Sequence, residues 1–248
     1  MTYRDLDIIN KQKYYSLLYD IITEERKNTL ESVIDLRTDR FIPVIENIHK
    51  AQNASAVLRT CDCLGIQEVR IVENNNKFSV TDDISLGANK WLNIRKYNSA
   101  NSNLPNPMSD DKNPKSNIER CFDDLRAEGY KIIATMPHDN DINLQDIDIT
   151  QKAAIVFGSE VDGISKEAIA NADCFMKIPM FGFTESFNIS VSAAITLHYL
   201  TNKLRNSDID WHLSEEKRLD TLILWALQSI TCRDKVEKEL LSRVMNTK

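Results

Sequence analysis

The chain of 248 residues predicts an α/β domain built on a mainly parallel sheet, with helical segments at both ends. Three observations carry this. Through the middle of the chain, short apolar runs of strand length alternate with stripes of helical period, the pattern of consecutive β-α units. The run Ala153-Ala154-Ile155-Val156-Phe157 is apolar at every position and stops at Gly158, as a strand covered on both faces requires. Glycines 65, 129, 158, 163 and 182 all fall where a turn is expected.

Each element follows from local signals. Residues 1–40 are charged and helical in character, and Thr23-Glu24-Glu25-Arg26-Lys27 opens a helix running to about residue 36. A polar turn over 37–40 precedes Phe41-Ile42-Pro43-Val44-Ile45, a short strand. Residues 53–64 place apolar side chains at 54, 57, 58, 61 and 64, a helical stripe, and Gly65 stops it. A strand over 66–72 follows, then a short helix at 81–86 and an alternating strand at 91–97. Residues 98–117 are rich in Asn, Ser and Pro and poor in apolar side chains, so an exposed loop is expected. Next come a helix to 128 ended by Gly129, strands at 130–135 and 153–157, a short helix capped by Ser165, and a strand at 174–178. The loop at 179–187 leads into a helix over 188–204, and 211–244 read as two further helices. The expected domains are a helical N-terminal extension over 1–40, an α/β domain over 41–204 and a helical C-terminal extension over 205–248.

Composition narrows the function classes. No N-terminal stretch pairs a basic region with an apolar run, so no signal peptide is expected. The longest apolar segment, 189–200, is interrupted by Ser190, Ser192, Thr196 and His198. It falls short of the roughly 20 apolar residues a bilayer span needs. The five cysteines lack a C-x-x-C pair and read as reduced thiols of a cytoplasmic protein. Cys61 and Cys63 would point about 200° apart on a helix and could not share a metal. The net charge is −6, yet residues 101–180 alone hold 8 Lys/Arg against 14 Asp/Glu. The acidity is therefore local, and Lys90, Arg95 and Lys96 form a small basic run, which permits a nucleic-acid partner without requiring one.

Ligands of parallel sheets bind beyond the carboxyl ends of the strands, so the loops after residues 135, 157 and 178 are the places to look. Three segments could carry chemistry. Asn53-Ala54-Ser55-Ala56-Val57-Leu58-Arg59-Thr60 puts an arginine beside a helical stripe. Taken alone, Arg59 reads as a surface residue, or as an anion ligand near a helix start that Asn53 could cap. Phe157-Gly158-Ser159-Glu160-Val161-Asp162-Gly163-Ile164 is either an ordinary strand-to-helix turn or a small-ligand loop, since glycine allows close backbone approach. It lacks the Gly-Lys-Ser/Thr ending of a phosphate loop, and G-x-G-x-x-G occurs nowhere. The third, Ile178-Pro179-Met180-Phe181-Gly182-Phe183-Thr184-Glu185-Ser186-Phe187-Asn188, is a pre-helix loop or a clasp for an adenine and its ribose. No Ser-His-Asp or paired-carboxylate motif stands out.

Together the three segments resemble motifs 1, 2 and 3 of the SpoU/TrmH branch of the SPOUT methyltransferases, in that order, over about residues 41–204. Motif 1 corresponds to Asn53 through Gly65, motif 2 to Gly158-Ser159-Glu160 with Gly163, and motif 3 to Ile178-Pro179-Met180 through Ser192. Two departures stand out: Ser159 replaces the usual asparagine and Phe187 the usual leucine. The lead-in at 23–47 and the phrase around Arg59 are most similar to members that modify the D-loop guanosine of tRNA at position 18.

The resemblance implies an α/β-knot, a deep trefoil knot formed by the 153–188 loops and the helix behind them. It implies S-adenosylmethionine held bent by Thr135, Gly158, Ile178, Met180, Phe187 and Asn188. It also implies a homodimer with tRNA as partner, no metal and no membrane, the terminal helices gripping the RNA through phosphate and shape. Arg59 would serve as base or as a phosphate clamp that positions the 2′-hydroxyl, with Asn53, Glu160, Ser186 and Asn188 orienting Arg59 and the loops. The clamp is the milder chemistry, because a guanidinium titrates above about 12. The alternatives are a ribosomal RNA target, a knotted protein that binds without transferring, and an unrelated α/β protein matching by chance. Only about 40 mostly helical residues precede the domain, fewer than the separate substrate domain many ribosomal RNA members carry.

Overall fold

The computed structural model describes residues 2–98, 115–136 and 141–246. Along the chain run α1 (Ile8–Tyr19), α2 (Glu24–Ile34), β1 (Phe41–Glu46), α3 (Ala51–Cys63), β2 (Glu68–Val72), α4 (Asp82–Ser85), β3 (Asn93–Tyr97), α5 (Asn117–Ala127), β4 (Lys131–Thr135), β5 (Ile142–Asn143), β6 (Ala153–Phe157), α6 (Lys166–Asn171), β7 (Cys174–Lys177), α7 (Ile189–Arg205), α8 (Glu215–Gln228) and α9 (Arg233–Asn246). They fall into two compact units, residues 39–211 and residues 1–38 with 212–248.

The larger unit is organised by a seven-stranded sheet in the order β3-β2-β1-β6-β4-β7-β5, with every neighbouring pair parallel. Side chains alternate across a strand, so each central strand serves both faces. Ala153, Ile155 and Phe157 of β6 join Phe41 and Ile45 in a core closed by Ala54, Val57 and Leu58 of α3 and Ala193, Leu197 and Leu200 of α7. Ala154 and Val156, with Ile42 and Val44, face Ile118, Cys121, Phe122 and Leu125 of α5. The result is three layers with β1 and β6 at their centre, which explains why those strands are apolar throughout. Pro43 sits one position before β1 begins to pair with β2. On the α5 side, Arg70 is buried at 1% exposure and reaches Glu68 and Glu128, both at 2.7 Å, which meets the demand of a buried charge for opposite charge.

Capping side chains set several helix starts. Asp7, Thr23, Ser116, Ser165, Asn188 and Ser214 each accept a hydrogen bond from the first turn of the helix behind them. Gly65 and Gly129, at φ of 75° and 84°, occupy the left-handed region past α3 and α5. The stretch 136–152, to which the sequence assigned no element, holds β5 and a short 3-10 helix, Leu144–Asp146. Of the loop expected at 98–117, residues 99–114 lie outside the described residues.

In the smaller unit, α1 packs on α8 and α9, and α2 on α8. Lys11 is buried at 3% exposure and stabilised by Asp220 at 2.9 Å and Glu216 at 3.2 Å. Arg218 bridges Glu31 and Asp35, and Arg37 lies over the Trp225 ring. Several cations of this unit thus hold its helices together.

Candidate functional site

A cavity of about 320 Å³ opens beyond the carboxyl ends of β4, β6 and β7. That size lies near the lower end of the roughly 300–1,000 Å³ typical of small-molecule sites. Thr135 ends β4 and Met136 follows it; Phe157 ends β6, and Gly158, Ser159, Glu160, Val161 and Gly163 follow it. Met176, Ile178 and Met180 come from β7 and the chain behind it, and Ser186, Phe187, Ile189 and Ser192 from the entry into α7.

The loop after β6 is closed on itself. Ser159 N donates to Gly163 O at 2.8 Å, Gly163 N returns a bond to Ser159 O at 3.1 Å, and Asp162 N donates to Ser159 Oγ at 2.9 Å. The serine that replaces an amide here therefore fastens the turn. Gly163 takes φ 69°. Gly158 is required for a different reason: a Cβ there would lie 2.2 Å from Gly163 C and 2.4 Å from Ile164 N. Gly158→Ala is expected to force the loop open. Overpacking costs about 1–3 kcal/mol, read as a fall of roughly 2–12 °C in the unfolding midpoint. An unchanged midpoint in calorimetry would mean that the loop yields freely.

A chain of hydrogen bonds joins all three segments. Glu160 accepts from His49 N at 3.0 Å, Lys50 N at 3.3 Å and Asn53 Nδ2 at 2.7 Å. Asn188 Nδ2 donates to Asn53 Oδ1 at 3.3 Å, while Asn188 Oδ1 accepts from Ser190 N and caps α7. Every atom's direction follows from its neighbour: a carboxylate only accepts, so Asn53 must turn its NH₂ to Glu160 and its oxygen to Asn188. Burial pushes the Glu160 carboxyl up, but the bonds from His49, Asn53 and Lys50 outweigh it and hold the group below the usual carboxylate range. Thr135 Oγ1 donates to Val156 O at 2.9 Å, leaving its hydroxyl to act as an acceptor toward any other partner.

The sequence-derived residues are therefore distributed unevenly. Asn53, Glu160 and Asn188 form one chain, and Thr135, Gly158, Glu160, Ile178, Met180, Ser186 and Phe187 line the cavity. Asn53 does not cap α3: the helix starts at Ala51, its cap residue Lys50 has no side-chain bond, and Glu160 reaches across to the amides at that end. Arg59 stands apart. It is exposed, lines a second cavity of about 770 Å³ with Ala56, Thr60, Ala194, Ile195 and His198, and its side chain makes no hydrogen bond or ion pair among the described residues. It lies six positions on from Asn53, about 9 Å along the helix and about 120° round it. The sequence reading did not single out His49, Lys50, Met136, Val161 and Ser192. His49 and Lys50 enter through backbone amides, which leave no mark in residue type.

Among the described residues, Glu160 is the one ionisable group in the first cavity's lining, whose walls are otherwise apolar, hydroxyl or backbone. One carboxylate and no cation suit a ligand with positive charge and an apolar ring better than a nucleotide phosphate.

Residues 40–198 match the SpoU rRNA Methylase family. The tRNA (guanosine(18)-2'-O)-methyltransferase of Borreliella burgdorferi is 40% identical over 206 residues, 83% of this chain and 86% of that one. The solved TrmH/SpoU tRNA modifying enzyme of A. aeolicus is similar at TM-score 0.70 and 26% identity, covering 84% of this chain and 98% of that one. AviRb of Streptomyces viridochromogenes, a SpoU methyltransferase solved in complex with the cofactor AdoMet (S-adenosylmethionine), shares the fold at TM-score 0.54 and 19% identity, covering 71% of this chain and 65% of that one.

Proposed function

The chain belongs to the SpoU rRNA Methylase family, and on that basis we propose that it transfers a methyl group from S-adenosylmethionine to the ribose 2′-oxygen of the tRNA D-loop guanosine, position 18 in its relative's name. The observation that carries the reading is the Glu160-Asn53-Asn188 chain, which ties the three family segments together at a cavity lined, among the described residues, by a single carboxylate.

The residues present fit the donor. Met176, Ile178, Met180 and Phe187 offer apolar walls for an adenine, and Thr135 offers an acceptor. Ionised Glu160 complements a cation. S-adenosylmethionine, when bound, supplies an electrophilic sulfonium methyl. The methyl would pass to the 2′-oxygen as the sulfur–carbon bond breaks, leaving a neutral thioether, and the hydroxyl proton would pass to solvent. The chain's task is to hold the oxygen in line and to assist proton loss, because a ribose hydroxyl is a weak nucleophile. Arg59 supplies the positive charge for a phosphate or for the proton-losing hydroxyl. The reading includes the trefoil-knotted path of residues 153–188, a cytoplasmic location, no metal, and a homodimer closed over the α3/α7 face. Val191 and Ile195 are exposed on α7 at 43% and 36%, beside the cavity that Arg59 lines. Closing that face would cover apolar surface.

Labelled S-adenosylmethionine is expected to mark unmodified tRNA transcript at one D-loop guanosine, read as a gap in the alkaline ladder because a methylated 2′-oxygen cannot cleave its own phosphate. RNA affinity should fall steeply with salt as phosphate counterions are released. Labelling of ribosomal RNA but not of tRNA would move the substrate and keep the chemistry. Cofactor binding with no transfer to any RNA would end the enzyme reading.

A further inference from the structure

The loop at 179–187 has both feet in the pocket: Ile178 and Met180 line it on one side, Ser186 and Phe187 on the other. Between the feet stand Phe181 and Phe183, exposed at 97% and 109%. No other large apolar side chain among the described residues is as exposed. Gly182 between them is open on its Cβ side, with nothing within 4 Å. The rest of the span is polar and exposed, Thr184, Glu185 and Ser186, and it holds no aliphatic side chain between the two feet. A dry protein interface would want more apolar surface than two separated rings. A planar partner wants only the ring face.

The pocket's other margin has the opposite character. His49 and Lys50 are exposed, and their amides bind Glu160, which lines the cavity. Aromatic faces thus stand at one margin, and an exposed lysine, Lys50, is anchored at another through its backbone amide. That combination matches a nucleotide, with a base to stack and a phosphate to neutralise. A 2′-oxygen that reaches the pocket also brings its own base to the mouth, since base and oxygen share one ribose.

Resting on the RNA 2′-O-methyl transfer read above, we propose that Phe181 and Phe183 are a stacking platform for an unstacked base of the acceptor RNA, the target base or its immediate neighbour, and so determine which nucleotide is presented. Base–aromatic stacking is tolerant of base identity and is how single-stranded positions are commonly held.

The test compares wild type with Phe181→Ala, Phe183→Ala, the double alanine variant, the double leucine variant and the double tryptophan variant. Methyl transfer to unmodified tRNA transcript is resolved into kcat and KM. Cofactor affinity is measured by calorimetry and mass by light scattering. Each lost stack is expected to raise KM for RNA about 5- to 150-fold. Cofactor affinity and particle mass should stay at wild-type values, tryptophan should restore KM, and leucine should not. An unchanged KM in the double alanine variant overturns the proposal. So does leucine rescuing as well as tryptophan, since simple apolar packing would then suffice. A halved particle mass in the alanine variants overturns it in favour of a second copy seated on the loop. Wild-type protein that binds cofactor but methylates no RNA removes the functional reading itself, an outcome distinct from all of these.

Discussion

Replacing Glu160 with glutamine is expected to lower methyl transfer about 100-fold, the usual scale for misplacing a reacting group by about 1 Å. Both carboxylate oxygens face N–H groups, from His49, Lys50 and Asn53. Glutamine has one acceptor and one donor there, so at least one N–H meets another and is left unpaired, at about 1–3 kcal/mol. If Asn53 turns its amide over to compensate, its NH₂ then meets the NH₂ of Asn188, whose oxygen is already committed to Ser190. The disturbance travels from the loop after β6 through α3 to the cap of α7.

Proton linkage offers a second readout. Glu160 is held below its ordinary value in the folded protein, so its contribution to stability is present above the unfolded-state value, near about 4.3, and is lost as pH falls through the lower folded value. The gap in unfolding midpoint between wild type and Glu160→Gln should therefore be full at neutral pH and close only in acid. Equal transfer rates for the two proteins, or a gap that grows in acid, would remove Glu160 from the role assigned to it.

Much of the fold was legible because periodicity reports burial. The uniform apolarity of 153–157 and 41–45 marked strands with cores on both faces, and those strands are the centre of the sheet. Capping residues and left-handed glycines placed helix ends within a residue or two. What escaped was short or decided by distant partners. β5 is two residues long and exists through its pairing with β7, which a window along the chain cannot register. Arg70 lies in a strand beside apolar neighbours, and nothing local announces that it is buried against Glu128, 58 residues away.

The site divides in the same manner. Asn53, Glu160 and Asn188 were named from motif order, and the geometry that binds them is long-range, 107 and 135 residues apart in the chain. The direction of helix capping was read wrongly. Asn53 stood near a helix start and suggested a local cap, whereas the groups at that end are met by Glu160 from another loop. A side chain brought in by tertiary contact leaves the helix's own sequence with no cap to show.

Arg59→Ala is expected to reduce transfer about 1,000-fold, within the range of about 10²–10⁴ for losing a group that manages a proton in the transition state. Cofactor affinity should hold, because Arg59 does not line the first pocket. Its partner pocket is the sharper question. Within one chain Arg59 faces the second cavity and has no link to the Glu160-Asn53-Asn188 chain. If the proposed dimer joins the α3/α7 faces, each pocket is served either by the Arg59 of its own chain or by that of the partner subunit. Mixed dimers decide this: one subunit carries Arg59→Ala, the other Glu160→Gln, and each bears its own affinity tag. Service across the interface leaves one pocket with both groups intact, so about half of wild-type activity should return although both parent dimers are nearly inactive. Service within a chain leaves every pocket with one defect, and the mixed dimer stays as inactive as its parents. A monomer in solution would remove the premise, and Arg59 would then have to reach its own pocket by a movement of α3. That movement would have to break the bonds of His49 and Lys50 to Glu160, and hydrogen exchange at those two amides would report it.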